Sequence, residues 1–174
     1  MMSIAQDASV LFAWGQVKTV ELPSAGTYRR VYEENRHRIY SLAFWMTDHE
    51  LAAEELTTNT FCRVFANHGT PTPEEIDHAL VAELRRFMTL GSLTLNCEPC
   101  QQILSVRRNV RRVDLERAVM ELPNTEKMIF LMHDVERYDH ARIARTLHLS
   151  EGESRRGLHQ ARLQVREFLA IYHS

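Results

Sequence analysis

Tyr138–Tyr172 reads YDHARIARTLHLSEGESRRGLHQARLQVREFLAIY. It divides into a short helical piece, a tight turn and a long basic helix, the order that marks a helix-turn-helix. Ile143, Ala144 and Leu147 stand at i, i+1 and i+4, so the first piece buries one apolar stripe and leaves Arg142 and Arg145 outward. Ala144 is small enough to let a second helix cross closely. His148 and Leu149 form the turn, histidine being among the few residues enriched at positive φ. Ser150 then offers an N-cap with Glu153 three residues on, an arrangement in which hydroxyl and carboxylate each accept the other residue's backbone N–H.

Beyond the cap the spacing predicts a long helix with two faces. Leu158, Ala161, Val165, Phe168, Leu169 and Tyr172 fall on one, and Arg155, His159, Arg162 and Arg166 on another. Such a cationic ridge displaces condensed counterions from nucleic acid, and an arginine fork bonds a guanine edge bidentately. A solvated charged face on an ordinary surface helix has the same appearance. The turn and cap in front of the ridge favour DNA binding.

Charge is distributed to match. Residues 1–104 hold 8 Lys and Arg against 13 Asp and Glu, whereas residues 105–174 hold 13 against 10, so the basic character sits in the C-terminal part. No apolar run approaches the roughly 20 residues of a membrane span, and the N-terminus lacks the pattern of a secretory signal, so a cytoplasmic protein is expected. The three cysteines, Cys62, Cys97 and Cys100, do not make a disulfide framework. Cys97 and Cys100 form a C-x-x-C, but no second ligand pair at zinc-finger spacing accompanies it, so two thiols in a linker are expected and no metal site.

Toward the N-terminus, residues 1–27 lack firm periodicity and read as a tail, with Pro23, Gly26 and Thr27 marking a break. Val31, Tyr32, Ile39, Leu42, Ala43 and Met46 give an amphipathic helix from Tyr28 to Met46, with a stop and a new cap at Thr47-Asp48. A second helix runs from about His49 to Asn67, with Ala52, Leu56, Thr60, Phe61, Val64 and Phe65 on its apolar side. Two antiparallel helices joined by a short turn result.

Arg36-His-Arg-Ile-Tyr-Ser-Leu-Ala43, Ala53-Glu-Glu-Leu-Thr57 and Phe61-Cys-Arg-Val-Phe65 resemble region 2 of the extracytoplasmic-function (ECF) group of sigma-70 family RNA polymerase sigma factors. Leu115-Glu-Arg-Ala118, Leu122-Pro123, Ile129-Phe-Leu131, Asp134-Val135, Ile143-Ala144 and Gly152 with Leu158-His-Gln-Ala161-Arg162 resemble region 4 of the same family, in the family's order and separation. The resemblance implies an all-α protein of two small helical domains that binds core RNA polymerase and directs it to promoter DNA, with an anti-sigma factor as a further partner. It implies that Glu54, Glu55, Leu56 and Phe61 touch polymerase, and that Arg155, Arg156, His159 and Arg162, continued by Arg166, meet the −35 element. Taken alone, Glu54 and Glu55 also suit a solvated face, and Phe61 and Phe65 suit core packing.

The pattern departs from the family at named places. Thr58-Asn59 stands where an amide-acid pair is usual, and Glu151, Glu153, Ser154 and Gly157 stand at recognition-helix positions that are usually small, apolar or basic. A mid-helix glycine costs roughly 1 kcal/mol against alanine. Between the halves the family carries an aromatic and basic segment that melts the promoter, since capture of a single strand needs stacking faces and cations. Here Thr72-Pro73-Glu74-Glu75 begins an acidic helix with Ile76, Leu80, Val81, Leu84, Phe87 and Met88 at packing positions, with Arg85 and Arg86 its cations. Promoter melting is therefore the family activity least matched by these residues.

The expected organisation is a tail (1–27), a region 2-like domain (28–90), a linker (91–112) containing the basic run Arg107–Arg112, and a four-helix region 4-like domain (113–174). Val113–Leu122 is its first helix, carrying Leu115, Ala118, Val119 and Leu122 and ended by Pro123; Thr125–Glu136 is the next, with Met128, Ile129, Leu131, Met132 and Val135 buried. Other functions share parts of the pattern: a degenerate sigma-like regulator that binds polymerase or an anti-sigma factor without melting DNA, a helix-turn-helix regulator without polymerase contact, and a helical adaptor. A thiol enzyme using Cys97 and Cys100 is a further class. No Ser/His/Asp set, phosphate loop or H-E-x-x-H is present, so no catalytic residue and no cofactor are expected.

Overall fold

The computed structural model describes residues 24–66, 69–95 and 110–171. The expectations for residues 1–23, for Cys97 and Cys100, for Arg107 and Arg108 and for Tyr172 fall outside them. Among the described residues all regular structure is helical: α1 Ala25–Thr47, α2 Glu50–Phe65, α3 Pro73–Leu84, α4 Arg112–Met120, α5 Asn124–Phe130, a π-helical turn Leu131–Val135, α6 His140–Leu147 and α7 Glu151–Ile171. None of them is long and apolar enough to cross a membrane.

The helix α1 begins three residues before Tyr28, because the Ser24 hydroxyl accepts the Thr27 N–H and draws Gly26 and Thr27 into the first turn. At the other end Asp48 closes α1 in the left-handed region (φ 50°), and His49, rather than Thr47-Asp48, caps α2 by accepting the Ala52 N–H at Nδ1. Ile39, Leu42 and Ala43 of α1 face Ala53, Leu56, Phe61 and Val64 of α2, all at or below 6 % exposure. Burying each of the larger side chains contributes about 1.5–3 kcal/mol relative to leaving it in water. Phe61 and Phe65 extend the contact through Tyr32 and Tyr28, with ring centroids 4.9 Å apart in both pairs.

Thr72 and Glu75 form the reciprocal capping box that starts α3, with Pro73 at its first position. Ile76, Leu80, Val81 and Leu84 are buried as the periodicity predicts. The helix stops at Leu84, however, so Phe87 does not continue the stripe and is 64 % exposed. Glu83 is buried on the α2 side, where Arg63 Nε (2.7 Å) and Arg86 Nη1 (2.9 Å) donate to its two carboxylate oxygens.

The two halves share one apolar core, which runs from Ile39 and Leu42 through Ile76 and Leu80 to Met128, Ile129, Ile143 and Leu147. A buried polar cluster crosses the same junction. Asp77 of α3, fully inaccessible, accepts from Arg38 of α1, from Arg142 of α6 and from the Tyr138 hydroxyl. The Arg142 guanidinium lies over the Tyr138 ring at 3.7 Å. Arg145 reaches Glu74, one turn from Asp77, at 2.7 Å, and Arg85 donates to the Leu147 carbonyl at 2.9 Å, closing the C-terminus of α6. Arg142 is thus half-buried and committed to Asp77, contrary to the expectation that α6 leaves it outward, whereas Arg145 stays exposed as expected and pairs with Glu74 at the surface.

The first residues of the segment read as linker are also tied down. Gly91, in a conformation open to glycine (φ 105°), donates to Thr125, and the Thr94 and Leu95 N–H groups donate to the inaccessible Glu126 carboxylate at 2.6 and 2.8 Å.

Candidate nucleic-acid and polymerase interfaces

The helix-turn-helix forms as its residues dictate. Asp139 caps α6 by accepting the Arg142 N–H, His148 takes the left-handed conformation (φ 58°, ψ 44°), and the Ser150–Glu153 box starts α7. Bound by the Ser150 N–H and hydroxyl, the Glu153 carboxyl sits below its usual range and stays charged at the helix N-terminus, where a negative group is favourable. Glu151, the other carboxylate of this tip, is paired with Arg155 at 2.9 Å.

The helix α7 presents one packed and one open face. Ser154, Gly157, Leu158, Ala161, Val165 and Leu169 are buried, whereas Arg155, Arg156, His159, Arg162 and Arg166 are all exposed. All five predicted DNA-binding residues therefore lie on the accessible ridge. Gly157 belongs to the packed face: a Cβ there would meet Ile129 Cδ1 at 2.6 Å and Leu93 Cδ2 at 2.7 Å. It is the seat of Leu93, and its propensity penalty is exchanged for close packing of the 91–95 segment.

Arg162 is held differently from its neighbours. Its Nε and Nη2 donate to the two carboxylate oxygens of Asp134, at 3.0 and 2.5 Å, in a fork-to-fork pair. His133 Nδ1 lies 2.8 Å from the same carboxylate, the His133 ring stacks on His140 with centroids 4.8 Å apart, and His140 Nδ1 lies 3.0 Å from the buried Ser154 hydroxyl. Burial works to raise the Asp134 carboxyl, but bonds from Arg162 and His133 outweigh it and hold the group below its usual range. Burial, then the neighbouring His133 and Arg155, lower His140, which favours its neutral form. The π-helical turn puts Asp134 in reach: the Glu136 N–H bonds the Leu131 carbonyl (3.0 Å) five residues back, which shifts the phase of everything after it. Val135, expected in the core, is 50 % exposed as a result. Asp134 and His133 had no sequence signal beyond a match to the Asp134-Val135 dipeptide.

On α2 the predicted polymerase residues divide. Glu54 and Glu55 are exposed, while Leu56 and Phe61 are buried at 2 and 3 % in the contact with α1. Helical periodicity requires this, since Leu56 shares the inner face with Ala53 and Thr60. Glu54 borders a shallow cavity of about 350 Å³ with Tyr32, Arg36, His37, Tyr40 and Thr57.

Residues 112–165 match the family model for sigma-70 region 4. The chain is similar to the ECF RNA polymerase sigma factor SigE of Mycolicibacterium smegmatis, with 25 % identity over 163 residues, 85 % of this chain and 63 % of that protein. It thus spans just under two thirds of the length of that curated relative. Its fold is similar to that of the sigma factor RpoE in the co-crystal structure with the anti-sigma factor NepR from Bartonella quintana, with a TM-score of 0.60, 12 % identity and coverage of 82 % of this chain and 96 % of that one. The capped helix-turn-helix lies inside the region that matches sigma-70 region 4, and the α1–α2 hairpin precedes it.

Proposed function

We propose that this chain is a cytoplasmic, non-enzymatic transcription initiation protein that binds core RNA polymerase through its N-terminal half and promoter −35 DNA through α7. The match of residues 112–165 to sigma-70 region 4 and the similarity to an ECF sigma factor support the general role. The observation that carries the DNA contact is the ridge of Arg155, Arg156, His159, Arg162 and Arg166, accessible along α7 while the opposite face is packed. A major groove admits a helix of this kind, and its cations replace counterions on the phosphates. Polymerase is met by Glu54 and Glu55, with Leu56 and Phe61 holding their helix in place from inside the core. An anti-sigma factor is a further partner, as NepR is for the structural relative.

The test is reconstitution. The purified chain is expected to co-elute with core polymerase and to support run-off transcription from a promoter selected with the reconstituted holoenzyme. Association without transcription from any selected template would refute the initiation role while leaving polymerase binding intact. Substituting Arg156 and Arg166 by alanine is expected to weaken duplex binding for all sequences and to reduce the salt slope by about one per residue.

A further inference from the structure

The ridge of α7 carries four arginines, and only one of them is gripped from the side by both arms of a carboxylate. In Arg162 the Nε–H and one Nη2–H are consumed by Asp134 at 3.0 and 2.5 Å. The guanidinium has five N–H donors in a fixed plane, so the Nη1 pair and the second Nη2–H remain, all at the outer end of the fork. That end matches the O6 and N7 acceptors of a guanine edge. The same carboxylate places a negative charge beside Arg162, which opposes the approach of a phosphate from that side.

The carboxylate is itself braced. His133 Nδ1 bonds it at 2.8 Å, His140 stacks on His133, and His140 is fixed to Ser154, which is fully buried on α7 two turns before Arg162. The chain of contacts leaves α7 at Ser154, passes through α6 and the π-helical turn, and returns to α7 at Arg162. A side chain fixed in this way loses less rotamer freedom on binding, which favours a directional contact over a diffuse one. By contrast, Arg155 is held by one bond from Glu151 within the same helix.

We infer that Asp134 is a positioning residue that makes Arg162 a reader of a guanine edge rather than a phosphate contact. The inference rests on the DNA-binding role proposed above and assigns a function to a residue outside the recognition helix. It requires no contact between Asp134 and DNA.

The experiment uses the full chain and a randomised duplex pool, selected separately with the wild type, Asp134→Asn, Asp134→Glu and Arg162→Ala. Affinities are then measured on the wild-type consensus and its single-base variants over a salt series. The wild type is expected to prefer guanine at one position, and Asp134→Asn and Arg162→Ala to lose that preference by about tenfold or more. Discrimination at the other positions is expected to persist and the salt slope of Arg162→Ala to change by well under one. Asp134→Glu, which keeps the carboxylate, is expected to recover part of the preference. An Asp134→Asn protein with unchanged base preference overturns the inference alone. Uniformly tighter binding with a slope steeper by about one overturns it too, since Asp134 would then be masking a phosphate contact. A wild type that selects no duplex refutes the DNA-binding role and the inference with it.

Discussion

Asp77 of α3 and Arg142 of α6 form a buried ion pair across the junction of the two halves, with the Arg142 Nε donating to Asp77 Oδ2 at 3.2 Å and its Nη2 to the same oxygen. Arg38 and the Tyr138 hydroxyl complete the carboxylate's shell, so no lone pair of this inaccessible group is left facing apolar surroundings. Removing the carboxylate leaves two guanidinium groups without their shared partner. Asp77→Ala is expected to lower unfolding stability by about 3–5 kcal/mol, read from urea denaturation. Arg145→Ala, which breaks only the exposed pair with Glu74, is expected to leave the midpoint almost unchanged. Equal losses in the two variants would contradict this ranking of buried over exposed pairs.

Gly157 offers a sign test of packing against helix propensity. Alanine in mid-helix is favoured by up to about 1 kcal/mol, but the added methyl meets the inaccessible Ile129 as well as Leu93, and overpacking costs about 1–3 kcal/mol. Gly157→Ala is therefore expected to destabilise by about 1 kcal/mol, and a second change, Leu93→Ala, to relieve part of the strain. Gly152 meets nothing nearer than the Ser150 hydroxyl at 3.9 Å. Gly152→Ala is expected to stabilise by a few tenths up to about 1 kcal/mol.

These two glycines show how far local pattern reaches. Helix starts at Thr72 and Ser150, the left-handed His148 and the α7 faces follow from rules that act over three or four residues, and the structure bears them out. The role of Gly157 depends on Leu93, and that of Asp77 on residues 39, 61 and 65 positions away. No local period encodes such a pairing, so acidic residues of α3 look like a solvated face. The π-helical turn escapes for a different reason: one inserted residue breaks the 3.6-residue phase, and Val135, a core position in an unbroken helix, is exposed. Phe87 continues a period whose helix has already ended at Leu84.

Glu126 anchors the 91–95 segment to α5 through two backbone N–H bonds while being fully inaccessible. Truncation leaves both donors without their acceptor and opens a space beneath the segment. Glu126→Ala is expected to speed amide exchange at Thr94 and Leu95 by at least tenfold, with global stability falling by about 1.5–3 kcal/mol. Amide exchange confined to its original rate would show that Leu93, seated on Gly157, holds the segment without the carboxylate.

The stacked His133–His140 pair makes the helix-turn-helix sensitive to mild acid. Burial and the adjacent His133 lower His140 from its ordinary value of 6.5, so the unfolded chain takes up a proton more readily than the folded one. Stability from this group is complete above pH 6.5, falls as the pH drops below that value, and levels off beneath the folded pKa. Asp134 is depressed too, but its contribution is lost only at the lower pH where carboxylates protonate. Denaturation midpoints measured between about pH 7.5 and 5.5 are expected to fall for the wild type and to fall less for His140→Asn, which keeps a polar partner for Ser154. Parallel curves for the two proteins would assign the acid sensitivity to other histidines and leave the stack with a packing role alone.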